Sequence, residues 1–336
     1  MINVKQQPSS IGSILSQIDR QKNIVIIGKA ATSYASEKVM YFESEDIVRQ
    51  HYGESQLTDA FVLAKKMGVP HIFLVNAKDE YSIVAVSDVL RQHDFAYIVP
   101  LFNIRDGRQG GKFLFEYLIE NMWRYNRSIV IMTDIHASLY EDIDHYLNDM
   151  FEIESSVFSR SFIRERLVFV LNHLEDVPYS NLIVASSIVS REYGQIYPEV
   201  DEVNTIYNID YLDILGRSLV FFEKSVDGVT TIENLVNFEK KSKPEKSVLT
   251  LDTLNRVYRS FDFGQYYGRQ YNPNVLYIIR KLITEKMDDF LGIYIADYSI
   301  KDIQFIKERL ARGRIEISME IKDLYTFEVC EVVLEV

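Results

Sequence analysis

Cysteine and tryptophan are nearly absent from this chain of 336 residues, in which Cys330 and Trp123 are the only examples. A single cysteine can form neither an intrachain disulfide nor a cysteine-based zinc site, which fits synthesis in a reducing, intracellular compartment. Long apolar runs are missing as well, since none approaches the ~18 residues of a membrane-spanning helix. The N-terminus also lacks the charged-then-apolar pattern of a signal peptide. We therefore expect a protein that is neither exported by a classical signal nor inserted in a membrane.

Positive charge is scarce too. The chain has 37 lysines and arginines against 49 aspartates and glutamates, for a net charge of −12. Nucleic-acid binding needs a basic face that neutralises phosphates. We therefore expect no nucleic-acid partner, whereas positively charged protein surfaces remain suitable partners.

Motifs for phosphate binding and nucleophilic catalysis are missing. Gly28-Lys29 follows a strand-like segment, but position 23 is Asn, so the P-loop pattern G-x-x-x-x-G-K-[ST] is not met. Neither G-x-G-x-x-G nor G-x-S-x-G occurs. We expect no cofactor, and we interpret Gly28 as a glycine that relieves the backbone at a strand end.

The best candidates for acid–base or metal chemistry are Asp134 and His136. They follow a predicted strand at 128–133, at the carboxyl edge where α/β enzymes keep catalytic groups. Their spacing matches no known ligand motif, and acidic residues on a helix also form ordinary solvated faces. A metal-dependent hydrolase or nucleotide-binding enzyme that uses these two residues therefore stays open as an alternative function. Further acidic and histidine residues follow at Asp142, Asp144 and His145.

Short apolar segments alternate with amphipathic segments through the first part of the chain. This rhythm predicts a mainly parallel α/β sheet flanked by helices. The predicted strands are 23–28, 71–75, 95–101, 128–133 and 166–171. The predicted helices are 44–52, 57–67, 83–92, 112–125, 138–151 and 181–193.

The pattern changes in the last third, which predicts an α+β region. Asp227-Gly228 between two apolar segments, 218–222 and 229–232, is typical of a β-hairpin. We predict helices at 251–263, 273–290 and 300–311, and strands at 292–298 and 314–322. The predicted fold class is α/β plus α+β, with a mixed central sheet, a C-terminal α+β part and terminal strand-exchange arms. The predicted domains are an N-terminal arm (1–20), an α/β core (21–195), an α+β domain (196–325) and a C-terminal strand arm (326–336).

Both ends of the chain look like strands. The last eleven residues, TFEVCEVVLEV, are rich in β-branched residues and contain neither glycine nor proline. An apolar strand at a chain end is either buried in its own sheet or given to another subunit. We therefore predict that apolar residues of the two ends contact neighbouring subunits; they are Ile2, Val4, Phe327, Val329, Val332 and Leu334.

The order of elements resembles the contractile tail sheath family of phage tails, R-type bacteriocins and related injection machines. The resemblance lies in the strand Ile24–Gly28, the helix that leads to Tyr52-Gly53, the helix at 57–68 and the strand at 71–75. Further on, it lies in Asp227-Gly228-Val229-Thr230-Thr231, in Tyr267-Gly268-Arg269 and in Asn272.

The resemblance implies a structural subunit without enzymatic activity. Sheath subunits form stacked hexameric rings around an inner tube, exchange strands through their arms, and contract to drive the tube through an envelope. The implied partners are further copies of the chain, the inner tail tube protein, and the baseplate and tail terminator proteins. The implied location is a virion tail or phage-tail-like particle made in a bacterial host cytoplasm. For such a sheath subunit, the segment 300–314, which includes the predicted helix at 300–311, is the expected tube contact, through Lys307, Arg309, Arg312 and Arg314.

Overall fold

The computed structural model divides into two compact units, Met1–Leu251 and Asp252–Val336. The described residues are 22–90, 93, 95–105, 116, 118, 128–157, 167–190, 199–200, 203–209, 213–214, 217–224, 230–233, 273–292, 295–307 and 313–323. Both predicted arms and the predicted helix at 251–263 lie outside these residues, as does nearly all of the predicted helix at 112–125. The predicted domain limits at 20, 195 and 325 stay predictions.

The first unit is built on a nine-stranded mixed sheet. Its strand order is β2-β3-β1-β4-β5-β6-β8-β9-β7. The strands are β1 (Asn23–Gly28), β2 (Val39–Tyr41), β3 (His71–Asn76), β4 (Tyr97–Pro100), β5 (Ile129–Thr133), β6 (Leu167–Val170), β7 (Glu199–Val200), β8 (Leu219–Lys224) and β9 (Thr230–Glu233). The helices are α1 (Glu45–Tyr52), α2 (Gln56–Lys66), α3 (Ile83–Leu90), α4 (Ile143–Val157) and α5 (Ser180–Ser190).

Six consecutive strands of this sheet, from β3 to β8, run parallel. The outer pairings, β2 with β3, β8 with β9 and β9 with β7, are antiparallel. The predicted mixed sheet is thus confirmed, as is the antiparallel pair β8–β9. The edge strand β2 has only three residues and was not predicted, because so short a segment carries no periodic signal.

Both faces of the sheet are covered at its centre, so strands β1, β4, β5 and β6 are buried at every position. In β1, Val25 and Ile27 belong to the apolar layer on one face, whereas Ile24 and Ile26 belong to the layer on the other. All four side chains are fully buried. Burial on both faces explains the near-continuous apolar runs that predicted these strands.

The second unit contains one helix, α6 (Pro273–Asp288), and a long antiparallel hairpin of β10 (Ile295–Lys307) and β11 (Gly313–Asp323) among its described residues. Three buried residues of α6, Ile279, Ile283 and Met287, pack on one face of the hairpin. Tyr298 fastens β10 to the helix, because its hydroxyl donates to Asp288 at 2.6 Å.

The helix predicted for 300–311 is wrong, since most of this segment forms strand β10. The apolar residues Ile300 and Ile303 are three apart, which is a helical spacing, but a register shift leaves Lys301 without an opposing residue in β11. This β-bulge brings both isoleucines to the same face of the strand. The opposing apolar pairs on that face are Tyr298–Ile321, Ile300–Met319, Ile303–Ile317 and Phe305–Ile315.

Within the described residues, no helix is both long and apolar enough to cross a bilayer.

Candidate functional sites at the sheet edge and on the hairpin

Asp134 lies where β5 ends, at the carboxyl edge of the parallel strands, as predicted. Its side chain is completely buried and is paired with Arg105, which follows β4. The Arg105 Nε donates to Asp134 Oδ2 at 2.7 Å. The Asp134 backbone carbonyl accepts a hydrogen bond from Asn172 at 3.0 Å. Asp134 therefore ties the ends of three neighbouring strands together.

Arg105 has a second carboxylate partner on helix α4. Its Nη2 lies 2.9 Å from Asp149 Oδ2, which also accepts a hydrogen bond from the Tyr140 hydroxyl. Burial opposes ionisation of Asp149, but the hydrogen bonds from Tyr140 and Arg105 hold its pKa below the usual value. Burial, together with the bond to Asp149, raises the pKa of Tyr140 to about 12. At neutral pH Arg105 and Asp149 therefore form an ionised pair beside the neutral phenol of Tyr140.

His136 has a structural role in the same region. Its Nε2 lies 2.8 Å from the Leu174 carbonyl oxygen, and its Nδ1 lies 2.8 Å from the Ser138 hydroxyl. Because a carbonyl can only accept, Nε2 carries the hydrogen and the Nδ1 lone pair accepts from Ser138. Both ring nitrogens are thus used in holding the loop after β5.

The other residues of this candidate site are spread along the start of α4. Asp142 accepts a hydrogen bond from the His145 backbone N–H at 2.8 Å, as a residue that caps a helix does. The hydrogen bond and charge of Asp142 raise the pKa of His145. Among the described residues, no three histidine, cysteine or acidic side chains are grouped to hold a metal ion.

The turn after β1 is packed by the protein itself. The Lys29 N–H donates to Gln56 Oε1 at 2.8 Å, and the Ala30 N–H donates to Asn76 Oδ1 at 3.1 Å. A Cβ on Gly28 would lie 2.8 Å from Leu101 Cδ1. These amides are therefore engaged by side chains, and Gly28 allows the close packing of this turn. The interpretation that this glycine relieves the backbone is wrong, because its φ lies outside the left-handed region.

The hairpin offers a second kind of site. Its apolar face is only partly covered, since Ile300, Ile303, Ile317 and Met319 all remain half-buried beside α6. Among the described residues, β10 pairs only with β11, so no described strand lies along the outer edge of either one. Long strand edges of this kind are templates for pairing with another chain.

The structure places two of the four predicted tube-contact residues at one end of the hairpin. Lys307 pairs with Gly313 in the ladder, and Arg314 pairs with Ile306, so the two backbones lie side by side. Arg309 and Arg312 belong to the connection at 308–312, outside the described residues, as are all six predicted subunit-contact residues.

Sequence reasoning did not find Arg105, Tyr140 or Asp149. Arg105 could have been found by the rule that located Asp134, because it too follows a predicted strand of the parallel sheet. Asp149 is separated from Asp134 by a loop and a helical segment, so only the fold brings it to Arg105.

At the sequence level, no family model and no curated protein matches this chain. The fold is similar to the helical sheath of the anti-feeding prophage (AFP) in its contracted state, with a TM-score of 0.60, 9% identity, and coverage of 93% of this chain and 92% of that chain. The contracted sheath complex of the extracellular contractile injection system PVC gives a TM-score of 0.62 and 12% identity, over 94% and 92% of the two chains. The sheath tail protein Lin1278 from Listeria innocua gives 0.57 and 9%, over 94% and 98%.

These similarities span both compact units and almost the full length of each compared chain. At such low identity they bear on the fold rather than on individual residues. The chain has the fold of contractile tail sheath proteins.

Proposed function

We propose that this chain is a structural subunit of a contractile tail sheath. The similarity to sheath chains over more than nine-tenths of both sequences is the observation that carries the proposal. Copies of the chain would form stacked hexameric rings around an inner tube, in a phage tail or a phage-tail-like particle. Contraction of the stack would drive the tube through a cell envelope, and the baseplate and tail terminator would be the partners at its two ends.

The hairpin would be the acceptor in this assembly. Strands β10 and β11 have 13 and 11 residues, which is long enough to pair with an added strand of five or more residues along either edge. The segment 326–336 would be one donor, and the segment around Ile2 and Val4 would be the other. A neighbouring subunit would thus add strands to the hairpin by β-augmentation.

The free energy of adding one strand from a neighbouring subunit suits a contact that is repeated in every subunit of the assembly. Each hydrogen bond between paired strands contributes about 0.5–1.5 kcal/mol net, so five such bonds stabilise one added strand only modestly. Burial of donor side chains such as Phe327 and Val329 adds about 1.5–3 kcal/mol for each large apolar group that is fully covered. The half-buried apolar face of the hairpin would supply part of that cover.

The end of the hairpin would face the tube. Lys307 and Arg314 are adjacent there, and Arg309 and Arg312 lie between them in sequence, so four cations are concentrated in eight residues of a chain whose net charge is −12. Such a basic tip fits an acidic tube surface, because opposite potentials favour association and fix its orientation.

This function requires no catalytic site. Asp134 is paired with Arg105, and His136 uses both ring nitrogens within the fold. These contacts give both residues a role in stabilising the sheet edge, and no observation favours the enzyme alternative.

The native Cys330 allows a direct test of strand exchange. We would place a cysteine on the exposed outer surface of the hairpin, as Gln304→Cys on β10 or Ser318→Cys on β11, in the full-length chain. After mild oxidation, non-reducing gels should show a ladder of disulfide-linked multimers from at least one of the two proteins. A disulfide within one chain would give only a monomer band.

The matched control carries the same hairpin cysteine together with Cys330→Ser. Without Cys330, only disulfides between two hairpin cysteines can form, so the control should give no multimer ladder. A ladder that requires Cys330 therefore reports disulfides between the C-terminal arm and the hairpin. Monomer bands alone from both cysteine proteins, at concentrations where the chain self-associates, would contradict strand exchange between subunits.

A further inference from the structure

The two most exposed large apolar side chains among the described residues are Leu139 and Tyr277. Their exposed fractions are 75% and 71%, and the next, Tyr81, is 54% exposed. Single exposed apolar residues are common on protein surfaces and need no explanation by themselves. Leu139 and Tyr277 differ from such single exposed residues in two ways. The backbone that carries each of them is fixed within the fold, and charged residues lie beside each side chain.

Leu139 is displayed on a loop that is firmly fixed to the sheet. The Ala137 N–H donates to the Asn172 carbonyl at 2.8 Å, and the Ala137 side chain is fully buried. On the other side, the Tyr207 hydroxyl donates to the Tyr140 carbonyl at 3.1 Å. The backbone on both sides of Leu139 is therefore tied down, while its side chain points into solvent.

The residues that follow Leu139 are acidic and exposed. Glu141 and Asp144 lie on the surface at the start of α4. Asp142, between them, caps the helix through the His145 N–H. We call Leu139, Glu141 and Asp144 the leucine loop.

Tyr277 lies on the solvent side of α6, opposite the buried residues that face the hairpin. Ile278, 43% exposed, is beside it. Lys281 is one turn further on and remains 66% exposed, although it lies 3.7 Å from Glu285. Arg280 is exposed at the margin of the same surface. We call Tyr277, Ile278, Arg280 and Lys281 the α6 face.

We propose that the leucine loop of one copy of this chain docks on the α6 face of a second copy. Leu139 would pack against Tyr277 and Ile278, while Glu141 and Asp144 would lie opposite Arg280 and Lys281. Each surface combines an exposed apolar centre with exposed charges. Those of the leucine loop are acidic, and Arg280 and Lys281 of the α6 face are basic, although Glu285 also lies beside Lys281. The inference rests on the proposed function, because it names one contact of the self-assembly that this function requires.

Such a contact is heterologous, since it joins two different surfaces. Heterologous contacts generate rings where the rotation closes and helical filaments where it does not. A contact of so few residues is smaller than the ~1,000 Å² expected of an autonomous interface. It would therefore act beside other contacts and contribute mainly to orientation and partner choice.

The first test is cross-linking between two cysteine variants of the full chain, both in a Cys330→Ser background. One carries Leu139→Cys and the other Tyr277→Cys, and the two are mixed and treated with a short bismaleimide. We expect a dimer band that appears in the mixture and is much weaker for either variant alone. A Tyr81→Cys variant mixed with Tyr277→Cys is the matched control and should give no such band.

The second test reverses the charges. Arg280→Glu with Lys281→Glu, or Glu141→Lys with Asp144→Lys, should each weaken self-association in sedimentation by about tenfold or more. All four changes in one chain should restore most of it. A loss that the combined variant fails to restore would overturn the charge pairing.

The outcomes separate this inference from the proposed function. If wild-type protein forms tubes in electron micrographs and the mixture gives no 139–277 cross-link, the inference is overturned and the sheath function stands. If the protein forms neither tubes nor the cross-link, both are overturned.

Discussion

Arg105 and Asp134 form an ion pair at the carboxyl edge of the sheet, with the Arg105 Nε 2.7 Å from a carboxylate that is completely buried. The two residues follow neighbouring parallel strands, β4 and β5. Through Asp149 the same arginine reaches helix α4. The pair therefore joins two strands and a helix at the point where the leucine loop begins.

Loss of Arg105 should destabilise the first unit strongly. Arg105→Ala leaves the Asp134 carboxylate buried without its partner, and such changes cost about 3–5 kcal/mol. Hydrogen exchange of peptides from 22–90 and 128–157 at increasing urea concentration, followed by mass spectrometry, reports the loss. Arg49→Ala is the control, because Arg49 pairs with Glu45 and Glu54 on the surface and should change little. Equal midpoints for the two variants would contradict this account of Asp134.

Acid should weaken the first unit through His173. This histidine is completely buried, and its Nε2 accepts a hydrogen bond from the Phe222 N–H at 3.1 Å. Burial, with a smaller contribution from His136, lowers its pKa from 6.5 to about 4. The unfolded chain therefore binds a proton at a higher pH than the folded chain does. Stability is fully present above pH 6.5 and is lost as the pH falls from there towards 4, by on the order of 3 kcal/mol.

The measurement for His173 is the free energy of unfolding of the first unit at several pH values, again followed by hydrogen exchange of its peptides in urea. His173→Gln cannot gain a charge, so it should be less stable at pH 7 but should lose less stability between pH 6.5 and 4. A variant with the same pH slope as the wild type in this range would show that His173 is not the titrating group.

Gly28 is required for packing rather than for backbone conformation. A Cβ at this position would lie 2.8 Å from Leu101 Cδ1 and 3.2 Å from Leu57 Cδ2. Gly28→Ala should therefore cost about 1–3 kcal/mol, as overpacking of a core does. Gly68→Ala is the matched control in the same unit. At Gly68, φ is +81° and the nearest atom to a Cβ is 3.8 Å away, so only backbone strain of about 1–2 kcal/mol applies.

The two glycine variants are distinguished by a second change. Leu101→Ala removes the obstructing side chain, so it should offset part of the cost of Gly28→Ala and none of the cost of Gly68→Ala. Additive effects in both pairs, measured from urea midpoints, would contradict the steric explanation.

Much of the first unit could be predicted from the sequence, because buried parallel strands are marked by apolar runs that are visible without the fold. Asn23–Gly28 and His71–Asn76 are such strands, and the helices around Val48 and Phe61 show clear periodicity. The hairpin was harder. The bulge at Lys301 spaces Ile300 and Ile303 as a helix would, so local periodicity favours the wrong element and only pairing with β11 decides between them.

The bulge itself leads to a prediction. Deleting Lys301 would place Ile300 and Ile303 two residues apart in a regular strand, with both still on the apolar face. The hairpin should therefore tolerate the deletion, since Lys301 otherwise contributes only an exposed ion pair with Glu320. Deleting Ser299 instead should turn Tyr298 and Ile300 to opposite faces and disrupt the packing on α6.

Hydrogen exchange of peptides from 295–323, followed by mass spectrometry, compares the two deletions. Protection near the wild-type level without Lys301 and strongly reduced protection without Ser299 is the expected result. Similar loss of protection in both proteins would mean that the bulge is needed for the hairpin.

The candidate sites were predicted only in part. The carboxyl-edge rule located Asp134, yet no local signal shows that Arg105 neutralises it, because the pairing depends on strand order. The cations Lys307 and Arg314 were found from charge alone, and their adjacency depends on the hairpin that replaced the predicted helix.

The most direct test of a sheath subunit that assembles through its terminal strands is negative-stain electron microscopy of the purified full-length chain at high concentration, beside a truncation that ends at Tyr325. Tubes or stacks of rings should form from the full-length chain only, and the truncated chain should fold but fail to polymerise. Uniform small particles from both proteins would contradict a sheath subunit that assembles through its terminal strands.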